Sequence, residues 1–117
     1  MNKTDTTFLP CGIEVSSKTL VVDRAGKAPR EFPNTPIGHR ALLTWLRRAP
    51  LPLRVCMEAT GLYGLDLALA LVAAGIPLLV ANPRSVRNFA RALMQRSKTD
   101  PLDAILLRQY AARMPFA

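Results

Sequence analysis

The first third of the chain consists of short, mostly apolar or β-branched segments separated by turn signals, a pattern typical of β-strands. Residues 9–15 are apolar except for Glu14, and residues 19–23 are rich in β-branched side chains. A turn signal at residues 24–27 precedes a short third strand near residues 30–32. These three segments predict an antiparallel meander.

The pattern changes after Thr35 and Pro36, which are typical of a helix N-cap and first helical position. Apolar residues at helical spacing then predict a first helix whose core side carries Ile37, Ala41, Leu42, Trp45, Leu46 and Ala49. Residues 53–58 are predicted as a fourth strand.

Two more strand–helix units follow along the chain. Residues 62–74 are Leu- and Ala-rich nearly all round, so we expect a largely buried helix that ends at Gly75. Residues 76–81 are apolar throughout, which is typical of a central parallel strand. Residues 83–96 and 101–113 are predicted as the third and fourth helices.

This order of elements predicts one α/β domain over residues 1–117. Three meandering strands followed by strand–helix crossovers give a mixed five-stranded sheet with helices on its faces.

Composition narrows the class of protein. Hydrophobic residues make up 50% of the 117, and 16 Lys and Arg against 8 Asp and Glu give a net charge of +8. Such a chain is globular and suited to a polyanionic partner such as nucleic acid. The longest apolar run, residues 67–81, is shorter than the roughly 20 residues of a bilayer span, so we expect no membrane. Cys11 and Cys56 lie in apolar segments and are expected to be reduced core thiols of a cytoplasmic protein.

Two carboxylates end apolar strands, which is unusual in so basic a chain. Glu14 lies near the end of the first strand and Glu58 ends the fourth. If these strands pair in parallel, both carboxylates face the crevice where the strand order reverses. A divalent cation such as Mg²⁺ would neutralise them. The alternatives are an outward-facing position for Glu14 and an exposed strand end for Glu58.

Asp100 and Asp103 lie three residues apart at the start of the last helix, on one face of one turn. They could add two more metal ligands. The spacing alone favours an ordinary helix start, with Asp100 as N-cap, Pro101 at the first helical position and Asp103 stabilised by the helix dipole.

Four sequence blocks occur in order: GIEVS (residues 12–16), MEATGLY (57–63), NP (82–83) and KTDPLDA (98–104). Together they resemble the N-terminal domain of the insertion-sequence 110 family of transposases, relatives of the Piv site-specific invertases. The second and fourth blocks are specific, and the resemblance covers about residues 9–112. It implies a RuvC-like, ribonuclease H-like fold.

The resemblance also implies a tetrad of catalytic, metal-binding carboxylates, here Glu14, Glu58, Asp100 and Asp103, that holds Mg²⁺ or Mn²⁺. The family's first acid is Asp, so Glu14 is a departure; we expect metal binding to survive and activity to suffer. The family's C-terminal domain, which bears a proposed serine nucleophile, is expected to be absent from this chain. DNA, a guide RNA and self-association of the full-length protein are the implied partners.

An arginine stripe follows the third block. Arg84, Arg87 and Arg91 recur at helical spacing, and Arg96 and Lys98 follow, so this face suits phosphate contacts beside a metal site. The alternative is an ordinary solvated helix face. His39, the one histidine, is expected to be exposed. Tyr63 is expected at the mouth of the crevice, and a packing role is the alternative for it.

The sequence therefore favours a transposase domain acting in DNA recombination by Mg²⁺-dependent phosphodiester chemistry. A non-catalytic nucleic-acid-binding module, or an inactive transposase remnant, is the alternative. A sugar kinase or actin-like ATPase half is disfavoured because the sequence has no glycine-rich phosphate loop.

Overall fold

A computed structural model describes residues 8–58, 61–93 and 100–114 of the chain, and within 100–103 the backbone path only. Its five strands are β1 (Leu9–Val15), β2 (Thr19–Arg24), β3 (Arg30–Pro33), β4 (Leu53–Glu58) and β5 (Leu78–Ala81). Its four helices are α1 (Pro36–Leu46), α2 (Leu65–Ala73), α3 (Pro83–Ala92) and α4 (Asp100–Arg113).

The strands form one mixed sheet in the order β3-β2-β1-β4-β5. β1 pairs antiparallel with β2, and β2 with β3, while β1 pairs parallel with β4, and β4 with β5. The predicted meander, the mixed five-stranded sheet and the α/β class are confirmed. β1 is the central strand.

Helices cover both faces of this sheet. On one face α1 and α2 bury a core that includes Ile13, Val55 and Leu71. On the other face α3 and α4 pack over Cys56 and Ala81 through a second cluster. Because side chains alternate along a strand, Glu14 lies on the α3–α4 face while Ile13 points to α1 and α2.

Local signals in the sequence set where the helices begin and end. The Thr35 hydroxyl accepts the Gly38 N–H at 3.0 Å, and Asn82 Oδ1 accepts the Arg84 N–H at 2.7 Å. Each cap precedes a proline in the first turn, as predicted for α1. Gly75 follows α2 with a φ of 77°, which a side chain would strain.

Two expectations about the second half of the sheet are wrong. β5 is an edge strand and not a central one, and Val80 on it is 47% exposed. α2 buries only Leu67 and Leu71, while Leu65, Leu69 and Val72 are exposed. No described strand pairs with the outer edge of β5, and no described element covers the outer side of α2.

Three expectations about α1 are also wrong. Ile37 is 70% exposed and Ala41 is exposed as well, whereas His39 is buried. The helix is rotated because Gly38 rests directly against Pro33, whose carbonyl carbon lies 2.7 Å from where a Gly38 side chain would begin. That contact turns His39 inward beside Leu42. None of the described helices is long and apolar enough to span a bilayer.

Candidate active site

Glu14 and Glu58 lie side by side on adjacent parallel strands, as predicted. The β1–β4 register pairs Ile13 with Met57, and the next residue along each strand is a glutamate. Both glutamates are half-buried and line one open cavity of about 470 Å³. The remaining lining residues are Val15, Ser16, Ser17, Gly61 and Tyr63. The crevice at the switch point therefore exists, and Tyr63 lies in its wall with 60% exposure.

Asn34 ties together the loops that bound this cavity. Its Nδ2 donates to the carbonyl of Ser16 at 2.8 Å and to the carbonyl of Tyr63 at 2.9 Å. Its Oδ1 is therefore the acceptor toward His39 Nε2, at 2.7 Å, and this ring nitrogen carries the proton. Burial lowers the pKa of His39, so the ring is neutral near pH 7. Sequence patterns did not identify Asn34, because its partners are distant in sequence.

The loop after β1 is fixed by its own serine. Ser16 Oγ accepts the Thr19 N–H at 3.1 Å, and the Ser16 N–H donates to the Thr19 carbonyl at 2.9 Å. This tight connection between β1 and β2 holds the cavity wall next to Glu14.

Helix α4 lies directly on β1 at Gly12. A side chain there would collide with the Ala104 carbonyl oxygen and the Arg108 nitrogen, and would lie 2.8 Å from the Leu107 carbonyl carbon. Gly12 therefore permits the closest approach of helix to strand, two residues before Glu14 on the same face. Asp103 immediately precedes Ala104, so the first turn of α4 adjoins this crossing.

An ion pair fixes α4 over the sheet. Arg108 donates from Nε to Oδ2 of Asp23. Asp23 is only 4% exposed and lies opposite Gly12 in the β1–β2 register. The pair joins residues 85 positions apart, so no local pattern predicted it. The signal that the sequence did offer was Asp23 itself, an acidic residue in a β-rich segment, which would need a partner if it were buried.

The four-carboxylate tetrad remains a prediction. Glu14 and Glu58 are brought together, but the side chains of Asp100 and Asp103 lie outside the described residues. Among side chains that the structure does describe, no group of three or more His, Cys, Asp or Glu could hold a metal ion.

The two cysteines are buried and free, as expected. Burial raises the pKa of the Cys56 thiol to about 12 and raises that of Cys11 still further. Both thiols are protonated packing groups, which excludes them as nucleophiles at neutral pH.

The arginine stripe lies on the solvent side of α3. Arg84, Arg87 and Arg91 are exposed, whereas Val86 on the opposite side is buried. Arg91 Nη1 donates to Asn88 Oδ1 at 3.2 Å. The other two predicted phosphate ligands, Arg96 and Lys98, lie outside the described residues.

The mixed sheet, with carboxylates at the ends of neighbouring parallel strands and a helix packed over the first strand, is a ribonuclease H-like arrangement. Comparison with known families gives a specific match within this class. The profile of the insertion-sequence 110 family of DEDD transposases, described as transposase, matches residues 11–116. The chain belongs to this family.

Two curated relatives are pilin gene-inverting proteins, from Moraxella bovis and Moraxella lacunata. Each is 33% identical to this chain over 85 residues, which is 70% of this chain and 26% of the relative. The chain thus spans about a quarter of the length of the curated relatives it matches.

Proposed function

We propose that this chain supplies the divalent-metal-binding part of a DNA transposase or site-specific invertase. Glu14, Glu58, Asp100 and Asp103 are the proposed catalytic ligands. The observation that carries the proposal is the β1–β4 register, which sets Glu14 beside Glu58 in the wall of one cavity.

The two described glutamates suit a hard cation. Mg²⁺ and Mn²⁺ prefer carboxylate oxygens, and paired strands lie roughly 4.8 Å apart, so both side chains can serve one site. The contact between Gly12 and α4 supports a contribution from the first turn of that helix. Asp100 and Asp103 belong to this turn.

When bound, divalent ions activate the attacking oxygen and stabilise the leaving oxygen of a phosphodiester. The chain's own residues have three tasks in this proposal. The carboxylates hold the ions, the Asp23–Arg108 pair orients α4, and Arg84, Arg87 and Arg91 bind flanking phosphates.

DNA is the proposed substrate because the chain carries a net charge of +8 and its curated relatives invert a gene. Inversion or transposition by a full-length protein is part of the proposal. A guide RNA and self-association of that protein remain predictions from the family resemblance.

Calorimetric titration with Mg²⁺ and Mn²⁺ tests the metal site. We expect weak binding that is abolished in Glu58→Gln and in Asp103→Asn, because no His or Cys can replace the missing ligand. Glu31→Gln is the matched control, since Glu31 is an exposed acid on β3 whose replacement changes the net charge equally. Thermal melting of each variant reports folding separately from metal affinity.

Equal affinity in wild type, Glu58→Gln and Asp103→Asn would contradict the proposal and leave Asp103 as a helix-start residue. A variant that melts like wild type but binds no metal would support it.

A further inference from the structure

A second basic site lies on the opposite face of the sheet from Glu14 and Glu58. Arg24 ends β2 and Arg30 begins β3, and both guanidinium carbons lie near the ring of Trp45 on α1, at 5.8 and 5.7 Å from its centroid. Phe32 completes the group, with its ring 5.8 Å from that of Trp45. We call these four residues the Trp45 cluster.

Arg24 is the unusual member of the Trp45 cluster. It is only 7% exposed, yet no carboxylate and no hydrogen-bond acceptor among the described residues contacts its guanidinium. Burying an arginine without a counter-charge is costly, and such residues are almost always paired. Attraction to the Trp45 ring offsets only part of that cost.

The guanidinium of Arg24 is nevertheless not sealed off completely. Among the described residues, Gln109 Oε1 is the one side-chain polar atom that is fully buried without a partner. Each Arg24 nitrogen without a partner therefore keeps a small contact with solvent, at the edge of the Trp45 cluster. The neighbouring Arg30 is exposed and carries a second positive charge beside the same ring.

We propose that the Trp45 cluster binds a backbone phosphate of DNA, separately from the carboxylate cavity. Two guanidinium groups lie beside one aromatic ring, and no described acid forms an ion pair with either of them. Guanidinium N–H groups are arranged as a planar fork of donors that matches the oxygens of a phosphate. A phosphodiester would supply the missing counter-charge, and the half-buried Trp45 ring offers a surface for stacking against a nucleotide. The identity of the polyanion as DNA rests on the proposed function.

The position of the Trp45 cluster separates it from the metal site. Arg24 lies opposite Cys11, three residues before Glu14 on β1, and its side chain is on the α1–α2 face. This is roughly 10 Å along the strand, with the sheet in between. A DNA segment held at the Trp45 cluster is therefore not the phosphodiester held at the carboxylates.

Trp45 is the only tryptophan, so its fluorescence reports directly on this site. We would titrate the 117-residue chain with a short DNA duplex, and follow Trp45 emission together with the anisotropy of labelled DNA. A saturable change in Trp45 emission, with the same midpoint as the anisotropy, is the expected result.

Charge-removing variants make the test specific. We expect Arg24→Gln and Arg30→Gln each to lower the slope of log Kd against log salt by about one unit and to weaken binding several-fold. Arg40→Gln is the matched control, because Arg40 is an exposed arginine of α1 that contacts no described ring. Arg30 is exposed, so its variant should fold even if Arg24→Gln does not.

Unchanged Trp45 emission during DNA binding, or equal affinities for Arg30→Gln and Arg40→Gln, would overturn this inference and leave the metal-site proposal standing. Tighter binding and larger emission changes with single-stranded RNA of the same length would overturn the assignment to DNA. No DNA binding at all would contradict the proposed function itself.

Discussion

Arg108 on α4 donates a hydrogen bond from Nε to Oδ2 of the buried Asp23 on β2. This pair holds the last helix against the central strands and sets its rotation. The helix that carries Asp100 and Asp103 is thus oriented by residues outside the proposed tetrad.

Breaking this pair should destabilise the fold. Asp23→Asn removes the charge that Arg108 faces, and we expect the free energy of unfolding to fall by about 1.5–3 kcal/mol, as for a hydrogen bond to a charged group. Urea denaturation measures this change. A double-mutant cycle with Arg108→Gln should show strong coupling, since both variants remove one interaction. Additive effects would show that the pair contributes nothing.

Gly12→Ala should disturb the packing between β1 and α4. The added methyl group collides with helix backbone, which cannot move as a flexible side chain would. We expect the free energy of unfolding to fall by about 1–3 kcal/mol or more, in the range for overpacked interiors. Ser85→Ala, on the exposed side of α3, is a control that should leave stability nearly unchanged. If the Gly12→Ala variant were as stable as the wild type, the close packing of α4 on β1 would be contradicted.

His39 should make stability depend on mild acid. Burial lowers its folded-state pKa below 6.5, so the unfolded chain binds the proton more readily. Stability from the neutral ring is fully present above pH 6.5 and declines as pH falls through the folded-state pKa. Denaturant midpoints measured between pH 7 and about 5 should decline for wild type.

The matched variant for that titration is His39→Gln. It retains a donor near Asn34 but cannot titrate, so its midpoints should change less over the same interval. Parallel declines in both proteins would assign the pH dependence to other groups.

The α3 stripe should dominate the salt dependence of DNA binding at the carboxylate side. Replacing Arg84, Arg87 and Arg91 by Gln should reduce the salt slope by about one unit for each phosphate that the variant no longer binds. Replacing Arg40, Arg47 and Arg48 removes the same charge from exposed positions of the opposite layer. If both triple variants show the same reduced slope, the stripe has no special role.

Most helices and strands could be predicted from the sequence, because the residues that start and end them are neighbours in the chain. Thr35 and Asn82 cap helices through neighbours in the chain. Most strands coincide with short, mainly apolar segments of the sequence. The parallel pairing of β1 and β4 was also predictable, since a helical crossover separates them. The relation between Glu14 and Glu58 followed from that pairing.

The failures concern tertiary context. Which side of α2 is covered depends on β5 being an edge strand, and β5 is as apolar as a central one. The burial of His39 depends on the contact between Gly38 and Pro33, which helical periodicity does not reveal. The Asp23–Arg108 pair joins distant parts of the chain. The proposed tetrad remains a prediction.

The closure of β1 by α4 has a consequence for synthesis on the ribosome. A nascent chain that ends before residue 100 lacks α4, so the part of the sheet that α4 covers at Gly12 stays exposed. The residues of β1 and of α4 must both have emerged before this part of the face is covered. A product terminated before α4 would thus lack a finished second core, because Leu107, Tyr110 and Ala111 of that helix belong to it.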